Sequence, residues 1–288
     1  LKRLLPQYPI PVVVVSAVTT EGSQRALEAL SAGAVAVVGK PRANDREGLA
    51  TMLDELSDAV LEASKARIHA VSKPGPVHSK GISRAVGVPG ANRLVAIGAS
   101  TGGTTALNSI LPSLPADFPP IVVVQHMPPV FTRMFAEALG RVSHMRIKEA
   151  AEGDSLEQGL ALIAPGDFHM RIIGDGRQYR VRLDHAEKVS GHRPSIDVLF
   201  SSVARAFGAK AVGLLMTGMG RDGADGLLEM RKVGARCIAQ DEQSSVVFGM
   251  PKEAWKIGAA ESLVALDDIP NTLVSLLDEE IQEVPWRR

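Results

Sequence analysis

The sequence predicts an α/β protein with a doubly wound, mostly parallel sheet and a small antiparallel insertion, preceded by half of a second parallel α/β sheet. Short runs of β-branched and apolar residues alternate with segments of helical periodicity along most of the 288 residues. Residues 71–92 interrupt this alternation with a stretch rich in proline, glycine, serine and lysine. We therefore expect an N-terminal region over residues 1–70, a linker over 71–92 and a larger domain over 93–288.

The N-terminal region contains only four predicted elements. Residues 8–18 are typical of a strand buried on both faces, and an amphipathic stretch over 23–32 ends at Gly33. A second buried strand is predicted over 34–38, and apolar spacing predicts a helix over 45–65. Since a half-sheet has an unpaired edge, we expect its folding to depend on a missing part or on docking to the larger domain.

Strands and helices alternate again after residue 92. The predicted strands cover 94–97, 121–125, 161–164, 211–216 and 236–239, with a hairpin of 170–173 and 179–183. The predicted helices cover 104–111, 131–139, 196–206, 223–233 and 269–281. In such sheets the ligand site lies beyond the carboxyl ends of the strands. This rule predicts that the ligand site lies at the loops after Ile97, Gln125 and Met216.

The first loop places Ser100 among glycines at a strand-to-helix turn, in the run Gly98-Ala99-Ser100-Thr101-Gly102-Gly103. Small neighbours let the backbone bend and expose the hydroxyl, and the following helix N-terminus offers N–H groups to an oxyanion. The run also fits Gly-x-Ser-x-Gly. A glycine-rich turn can instead bind a nucleotide phosphate, and the loop alone leaves both interpretations open.

The second loop begins with His126, at the end of the buried run Val122-Val123-Val124-Gln125. A single histidine at this position is commonly a boundary residue with satisfied hydrogen bonds. Beside a Gly-Ser loop it is also a natural general base, because its ordinary pKa suits proton transfer. The second loop therefore favours catalysis over phosphate binding.

The third loop contains Asp222, flanked by Gly218, Gly220 and Gly223. Aspartate is a common N-cap, and Asp222 can serve the next helix in that way. Alternatively, it orients His126 and stabilises the imidazolium. The second use predicts a triad formed by three strand ends of one sheet edge.

The order Ser–His–Asp along the chain differs from the Ser–Asp–His order of α/β-hydrolases. All seven histidines precede Asp222. An α/β-hydrolase interpretation would need Asp167 with His169, His185 or His192, and none of these pairs falls as clearly at strand ends.

Taken together, the motifs closely resemble those of the chemotaxis protein-glutamate methylesterases, the CheB family. The resemblance extends from about residue 93 to 284, over Ile97–Gly103, Val124–Pro128, Ala164–Gly166 with His169, Arg193–Asp197 and Leu215–Gly223. It implies Ser100 as nucleophile, His126 as general base and Asp222 as its orienting partner. It further implies that the N–H of Met219 contributes to the oxyanion site, with Thr101 and His192 lining the pocket.

The N-terminal region resembles the second half of a response-regulator receiver domain. Ser16 stands where receivers have their switch hydroxyl, and Lys40, followed by Pro41, matches the lysine that contacts the phosphoryl group. The strands that bear the acidic pair and the phosphorylated aspartate are not in this chain, so no phospho-acceptor is assigned. Control by phosphorylation, a chemotaxis histidine kinase as partner and Mg²⁺ as cofactor are implied only for a parent protein with a complete receiver.

The resemblance implies that the enzyme hydrolyses glutamate γ-methyl esters on the cytoplasmic helices of methyl-accepting chemoreceptors, and that some family members also deamidate glutamine. No cofactor or metal is expected for the esterase. Two alternatives remain, an α/β-hydrolase-type esterase for small esters and a nucleotide-binding module. The second lacks a lysine in its glycine loop.

Composition limits the other function classes. Thirty-two basic residues balance 32 acidic ones, so nothing attracts the chain as a whole to nucleic acid or an acidic membrane surface. The single cysteine, Cys237, permits neither an intramolecular disulfide nor a thiolate metal site. No apolar stretch reaches the ~20 residues that a membrane span requires. We therefore expect a cytoplasmic protein and, since the sequence does not begin with methionine, we expect its first residues to be missing.

Overall fold

The computed structural model describes residues 1, 3–5, 7–17, 20–41, 46–66 and 93–278, and the predicted linker over 71–92 lies outside them. The strands are β1 (Val13–Ala17), β2 (Ala36–Lys40), β3 (Leu94–Ala99), β4 (Ile121–Gln125), β5 (Arg146–Glu149), β6 (Leu160–Ile163), β7 (His169–Gly174), β8 (Tyr179–Asp184), β9 (Ala211–Leu215), β10 (Arg236–Gln240) and β11 (Ser262–Val264). The helices are α1 (Thr20–Ser31), α2 (Arg46–Ser64), α3 (Gly103–Ile110), α4 (Phe131–Val142), α5 (Ile196–Phe207), α6 (Ala224–Lys232), α7 (Met250–Lys256) and α8 (Ile269–Asp278).

Seven parallel strands form the central sheet, in the order β11-β10-β9-β3-β4-β6-β5. From β3 the chain continues to β4 on one side, and it later returns to β9 on the other side. On one side β9, β10 and β11 follow outward in chain order, and on the other side β6 lies between β4 and the edge strand β5. The winding therefore reverses between β3 and β9. Ligand sites of open α/β sheets form at such a point.

The central strands are buried because helices cover both faces of the sheet. All six residues of β3 are buried, and alternate side chains enter two different cores. Val95 and Ile97 pack with residues of α3, α4 and α8. Leu94 and Ala96 pack with residues of α5, α6 and α7. The predicted doubly wound α/β fold is confirmed.

The antiparallel insertion is the hairpin of β7 and β8, which pair from His169 opposite Asp184 to Gly174 opposite Tyr179. Buried Met170 and Ile172 of β7 belong to the same core as α5. The hairpin therefore packs against α5, and the predicted antiparallel hairpin is confirmed.

In the N-terminal region, β1 and β2 form a separate two-stranded parallel sheet. Ala26 and Leu30 of α1, with Ala34, are buried in the same core as Val95 and Ile97 of β3. The half-sheet is thus docked to the larger domain through α1, which is one of the two ways of stabilising it that the sequence suggested.

Three short elements of the larger domain were missed by the sequence analysis. The edge strand β5 consists of charged residues and a single apolar one, Ile147, so it lacks the pattern of a buried strand. The helix α7 has only seven residues, with Pro251 in its first turn, and β11 has only three residues. In addition, β1 begins at Val13 rather than near residue 8, after the last of the two prolines in that run. Among the helices of the described residues, none combines the length and the apolar character needed for a membrane crossing.

Candidate active site

Ser100 directly follows β3 and precedes α3, at the sheet edge where the winding reverses. Its backbone is held on both sides: the N–H donates to the carbonyl of Thr217 at 3.0 Å, and the carbonyl accepts from Gly103 at 2.8 Å. The chain of the loop after β9 approaches so closely that a Cβ on Gly218 would lie 2.7 Å from the Cβ of Ser100. Glycine is therefore needed at position 218.

His126 stands beside Ser100 because β3 and β4 are parallel neighbours in register. Ala99 pairs with Gln125, and the N–H of His126 extends this ladder by donating to the Ala99 carbonyl at 3.0 Å. The residues that follow the pair are Ser100 and His126, and neighbouring strands lie only ~4.8 Å apart. Strand register alone therefore places the hydroxyl-bearing residue next to the imidazole.

The imidazole of His126 is oriented by Asp222, whose Oδ2 lies 2.8 Å from Nε2. A carboxylate only accepts hydrogen bonds, so Nε2 carries the proton and Nδ1 keeps its lone pair. Nδ1 is buried and has no hydrogen-bond partner among the described residues. The structure thus leaves one imidazole nitrogen free to take a proton beside Ser100.

Asp222 is held at the N-terminus of α5 by three further donors. The hydroxyl of Ser195 lies 2.8 Å from Oδ1, and the N–H groups of Ile196 and Asp197 lie 2.8 and 3.1 Å from the carboxylate oxygens. Burial alone would raise the pKa of Asp222, but the hydrogen bonds and charge of His126 and the donors from α5 outweigh it and hold the pKa well below its usual range. Asp222 is therefore ionised at neutral pH and stabilises an imidazolium.

The alternative use of Asp222 as N-cap of the following helix is not observed. The N-cap of α6 is Gly223, with φ of 90° and no side-chain capping hydrogen bond. Asp222 instead accepts N–H groups of α5, which comes before it in the chain. Asp222 therefore does bind a helix N-terminus, but it is that of α5, and the same carboxylate also pairs with His126.

Sequence reasoning missed Ser195 and Asp197 as parts of this cluster. Ser195 is the N-cap of α5, and a serine before a predicted helix was a signal for that role but not for a contact 27 residues away. Burial and the neighbouring Asp222 raise the pKa of Asp197 to about 7, although the N–H of Gly226 donates to it. Asp197 is therefore protonated far more readily than Asp222, to which its own N–H donates.

His192 stacks on His126, with ring centroids 3.8 Å apart and an interplanar angle of 17°. Burial and the adjacent His126 lower the pKa of His192 to about 3. His192 is therefore neutral at physiological pH and covers one face of the His126 ring without adding a competing charge.

Thr101 and Met219 lie on the two loops that meet at Ser100. Among the described residues, no acceptor is found for the N–H group of either. Their side chains contact the N-terminal region: the Thr101 hydroxyl donates to Glu62, and Nζ of Lys65 lies 3.9 Å from Sδ of Met219. The end of α2 and the residue after it therefore lie against the rim of the site.

The glycine loop is poorly arranged to bind a phosphate. The N–H groups of Ser100, Gly102 and Gly103 donate to the carbonyls of Thr217, Val35 and Ser100. A phosphate cradle requires such N–H groups to be free. The geometry favours a nucleophile over the nucleotide-binding alternative.

The aspartate and histidine pairs that an α/β-hydrolase interpretation would need are not arranged as a base beside Ser100. Asp167 contacts His185 at 3.0 Å, but both side chains are about half exposed and Arg193 shares the same carboxylate. His169 is fully buried and bound to the Glu187 carbonyl through Nε2. The aspartate–histidine pair next to Ser100 is thus Asp222 with His126.

Ser16 and Lys40, the predicted receiver switch residues, lie at the carboxyl ends of β1 and β2. Ser16 pairs with Gly39 and Ala17 with Lys40, so the two residues are close along the sheet edge. The Ser16 hydroxyl donates to the Gly22 carbonyl at 2.7 Å, and Lys40 is exposed. Both roles remain predictions.

Comparison with known proteins identifies the relatives of this chain. The CheB methylesterase family model matches residues 95–273. A protein-glutamate methylesterase/protein-glutamine glutaminase of Syntrophotalea carbinolica is 47% identical over 282 residues, which cover 97% of this chain and 80% of that protein. A protein of the same name from Chromohalobacter salexigens is 46% identical, over 95% of this chain and 77% of the relative.

A solved structure agrees with the sequence relatives. The CheB methylesterase catalytic domain of Thermotoga maritima superposes with a TM-score of 0.63 at 39% identity, covering 64% of this chain and 98% of that domain. The family that the sequence motifs predicted is confirmed: the chain belongs to the CheB methylesterase family.

Proposed function

We propose that this chain is a protein-glutamate methylesterase that hydrolyses glutamate γ-methyl esters on chemoreceptors and deamidates receptor glutamines. The observation that carries the proposal is the His126 imidazole, bonded to Asp222 through Nε2 and free at Nδ1, beside Ser100. The names of the relatives, which are protein-glutamate methylesterases/protein-glutamine glutaminases, support the substrate.

In the proposed reaction the Ser100 oxygen attacks the ester carbonyl carbon while Nδ1 of His126 accepts the hydroxyl proton. The tetrahedral oxyanion is stabilised by the N–H groups of Met219 and Thr101, which have no acceptor among the described residues. When the C–O bond to the methoxy group breaks, Nδ1 returns the proton and methanol leaves. Asp222 stabilises the imidazolium formed in between.

Water then attacks the acyl-enzyme. Nδ1 takes a proton from the water, the ester bond to Ser100 breaks, and the proton goes to the serine oxygen. The product is the free glutamate side chain. Glutamine follows the same course with ammonia in place of methanol.

The nucleophile, base and orienting carboxylate are all side chains of this chain, so we propose an esterase without a cofactor. We place the reaction in the cytoplasm, where receptor helices of the implied substrate lie. Mg²⁺, a phospho-acceptor and a histidine kinase partner would belong to a parent protein with a complete receiver, in which Ser16 and Lys40 would act as switch residues.

The test is the release of methanol from a methylated receptor fragment, with demethylation of receptor glutamates followed by mass spectrometry. We expect the receptor to be turned over far faster than a chromogenic acetate ester, and nucleotides to give no calorimetric binding signal. Faster turnover of the small ester would favour the general esterase alternative. Micromolar nucleotide binding without methanol release would favour the binding module.

A further inference from the structure

Gln125, the last residue of β4, places a buried amide beneath the two residues that the proposed function uses as nucleophile and base. Its side chain is 2% exposed. Nε2 donates to the carbonyl of Ser100 at 2.9 Å and to the carbonyl of His126 at 3.1 Å. Among the described residues, no other side chain bonds the main chain of both.

The orientation of the amide is fixed by these two acceptors. A flipped amide would turn Oε1 toward both carbonyl oxygens, which is repulsive because none of the three groups has a proton to donate. Oε1 lies so close to Gly103 that a Cβ on that residue would collide with it, and Oε1 has no hydrogen-bond partner among the described residues. Gly103 thus provides the space that the amide occupies.

The amide acts where the regular ladder between β3 and β4 stops. The last backbone hydrogen bond between these strands runs from the N–H of His126 to the Ala99 carbonyl. Beyond it, Gln125 is the group that connects the Ser100 peptide to the His126 peptide. The hydroxyl and the imidazole are attached to these two residues, so the amide fixes one relative to the other.

We propose that Gln125 is a positioning residue that sets the separation of the Ser100 hydroxyl from Nδ1 of His126. The proposal rests on the proposed function for the roles of Ser100 and His126. A misplacement of about 1 Å between reacting groups can reduce a rate by ~10²-fold. Because Gln125 is buried and its amide donor is directed at main-chain carbonyls, its loss should lower kcat and leave KM nearly unchanged.

The experiment compares Gln125→Met, which keeps the shape but removes the donor, with the full chain. Gln158→Met is the matched control, because Gln158 is exposed and its Nε2 also donates to a main-chain carbonyl, that of Asp117. Three quantities are measured: kcat and KM for methanol release from methylated receptor, the rate at which a fluorophosphonate probe labels Ser100, and the melting temperature.

We expect Gln125→Met to lower both kcat and the labelling rate about 10–100-fold with KM within about twofold, and Gln158→Met to match the wild type. A folded Gln125→Met with kcat and labelling rate within twofold of the wild type, or with a change in KM alone, overturns the proposal. If Gln125→Met does not fold, the same measurements and the same criteria are applied to Gln125→Asn. Its amide is one methylene too short to reach both carbonyls.

The labelling rate separates this proposal from the proposed function. A wild type that is labelled at Ser100 but releases no methanol contradicts the methylesterase assignment, while the labelling of Gln125→Met still tests the positioning role.

Discussion

The larger domain and the N-terminal region are built from the same alternation of strands and helices, but they differ in what holds them together. In the larger domain, β3 is buried over all six residues within a seven-stranded sheet. In the N-terminal region, β1 has no fully buried residue and its sheet has two strands. One region carries its own core, whereas the other shares a core with its neighbour through α1.

The same difference applies to the site. Ser100, His126 and Asp222 all follow or precede elements of the larger domain, and the hydrogen bonds that position them come from that domain. Among its described residues, the N-terminal region contacts the rim of the site through Glu62, Lys65 and the Val35 carbonyl. This difference indicates that the chemistry depends on the larger sheet, and it predicts that contacts from the N-terminal region affect access to the rim.

Within the larger domain a large effect is expected for Asp222→Asn, second only to removal of the Ser100 hydroxyl. An amide there donates to Nε2 of His126 and forces the imidazole proton onto Nδ1, where it blocks proton transfer from Ser100. We expect kcat for methanol release to fall ~10⁴-fold, as for other triads. Asp225→Asn is the control, because Asp225 is exposed on α6 and pairs with Arg221. A fall of less than tenfold for Asp222→Asn would show that the imidazole does not act through this carboxylate.

The next largest effect is on stability and is expected for His192→Phe, which keeps an aromatic ring stacked on His126. The pKa of His192 is lowered from 6.5 to about 3 in the folded state, so acidification below 6.5 protonates the unfolded chain first. As the pH falls from 6.5 to 4, the free energy of unfolding of the wild type should therefore decrease by up to ~1.4 kcal/mol per pH unit. His192→Phe should not show this decrease. Denaturant unfolding at several pH values measures it. Parallel pH profiles for the two proteins would show that His192 is not held neutral.

The smallest effect lies at the contact between the two regions. Glu62→Ala frees the Thr101 hydroxyl at the rim of the site. Because one side-chain hydrogen bond contributes ~1 kcal/mol, we expect kcat/KM for methylated receptor to rise about fivefold. Asp58→Ala, an exposed change on the same helix, serves as control. An unchanged or lower kcat/KM for Glu62→Ala would indicate that α2 does not limit access.

The sequence was sufficient to predict where Ser100 and His126 meet, because both follow buried strands that a parallel α/β sheet aligns at one edge. It was also sufficient for the antiparallel hairpin. These features depend on local patterns and on one rule of topology.

Other features depend on contacts between distant residues. The partners of Asp222 at the start of α5 are about 25 residues away in the chain, and nothing local distinguishes that role from a cap on α6. Gln125 is not a residue type that suggests catalysis, so its contacts with Ser100 and His126 appear only in three dimensions. The edge strand β5 lacks a core pattern because most of its residues are not buried.

The most direct test of the account is methanol release from methylated receptor by Ser100→Ala, compared with the wild type at equal folded concentration. Without the hydroxyl no acyl-enzyme forms, so we expect the rate to fall by ~10⁴-fold or more, to the level left by binding and the oxyanion site. A Ser100→Ala protein that keeps more than about a tenth of the wild-type rate, well above that level, would contradict the triad.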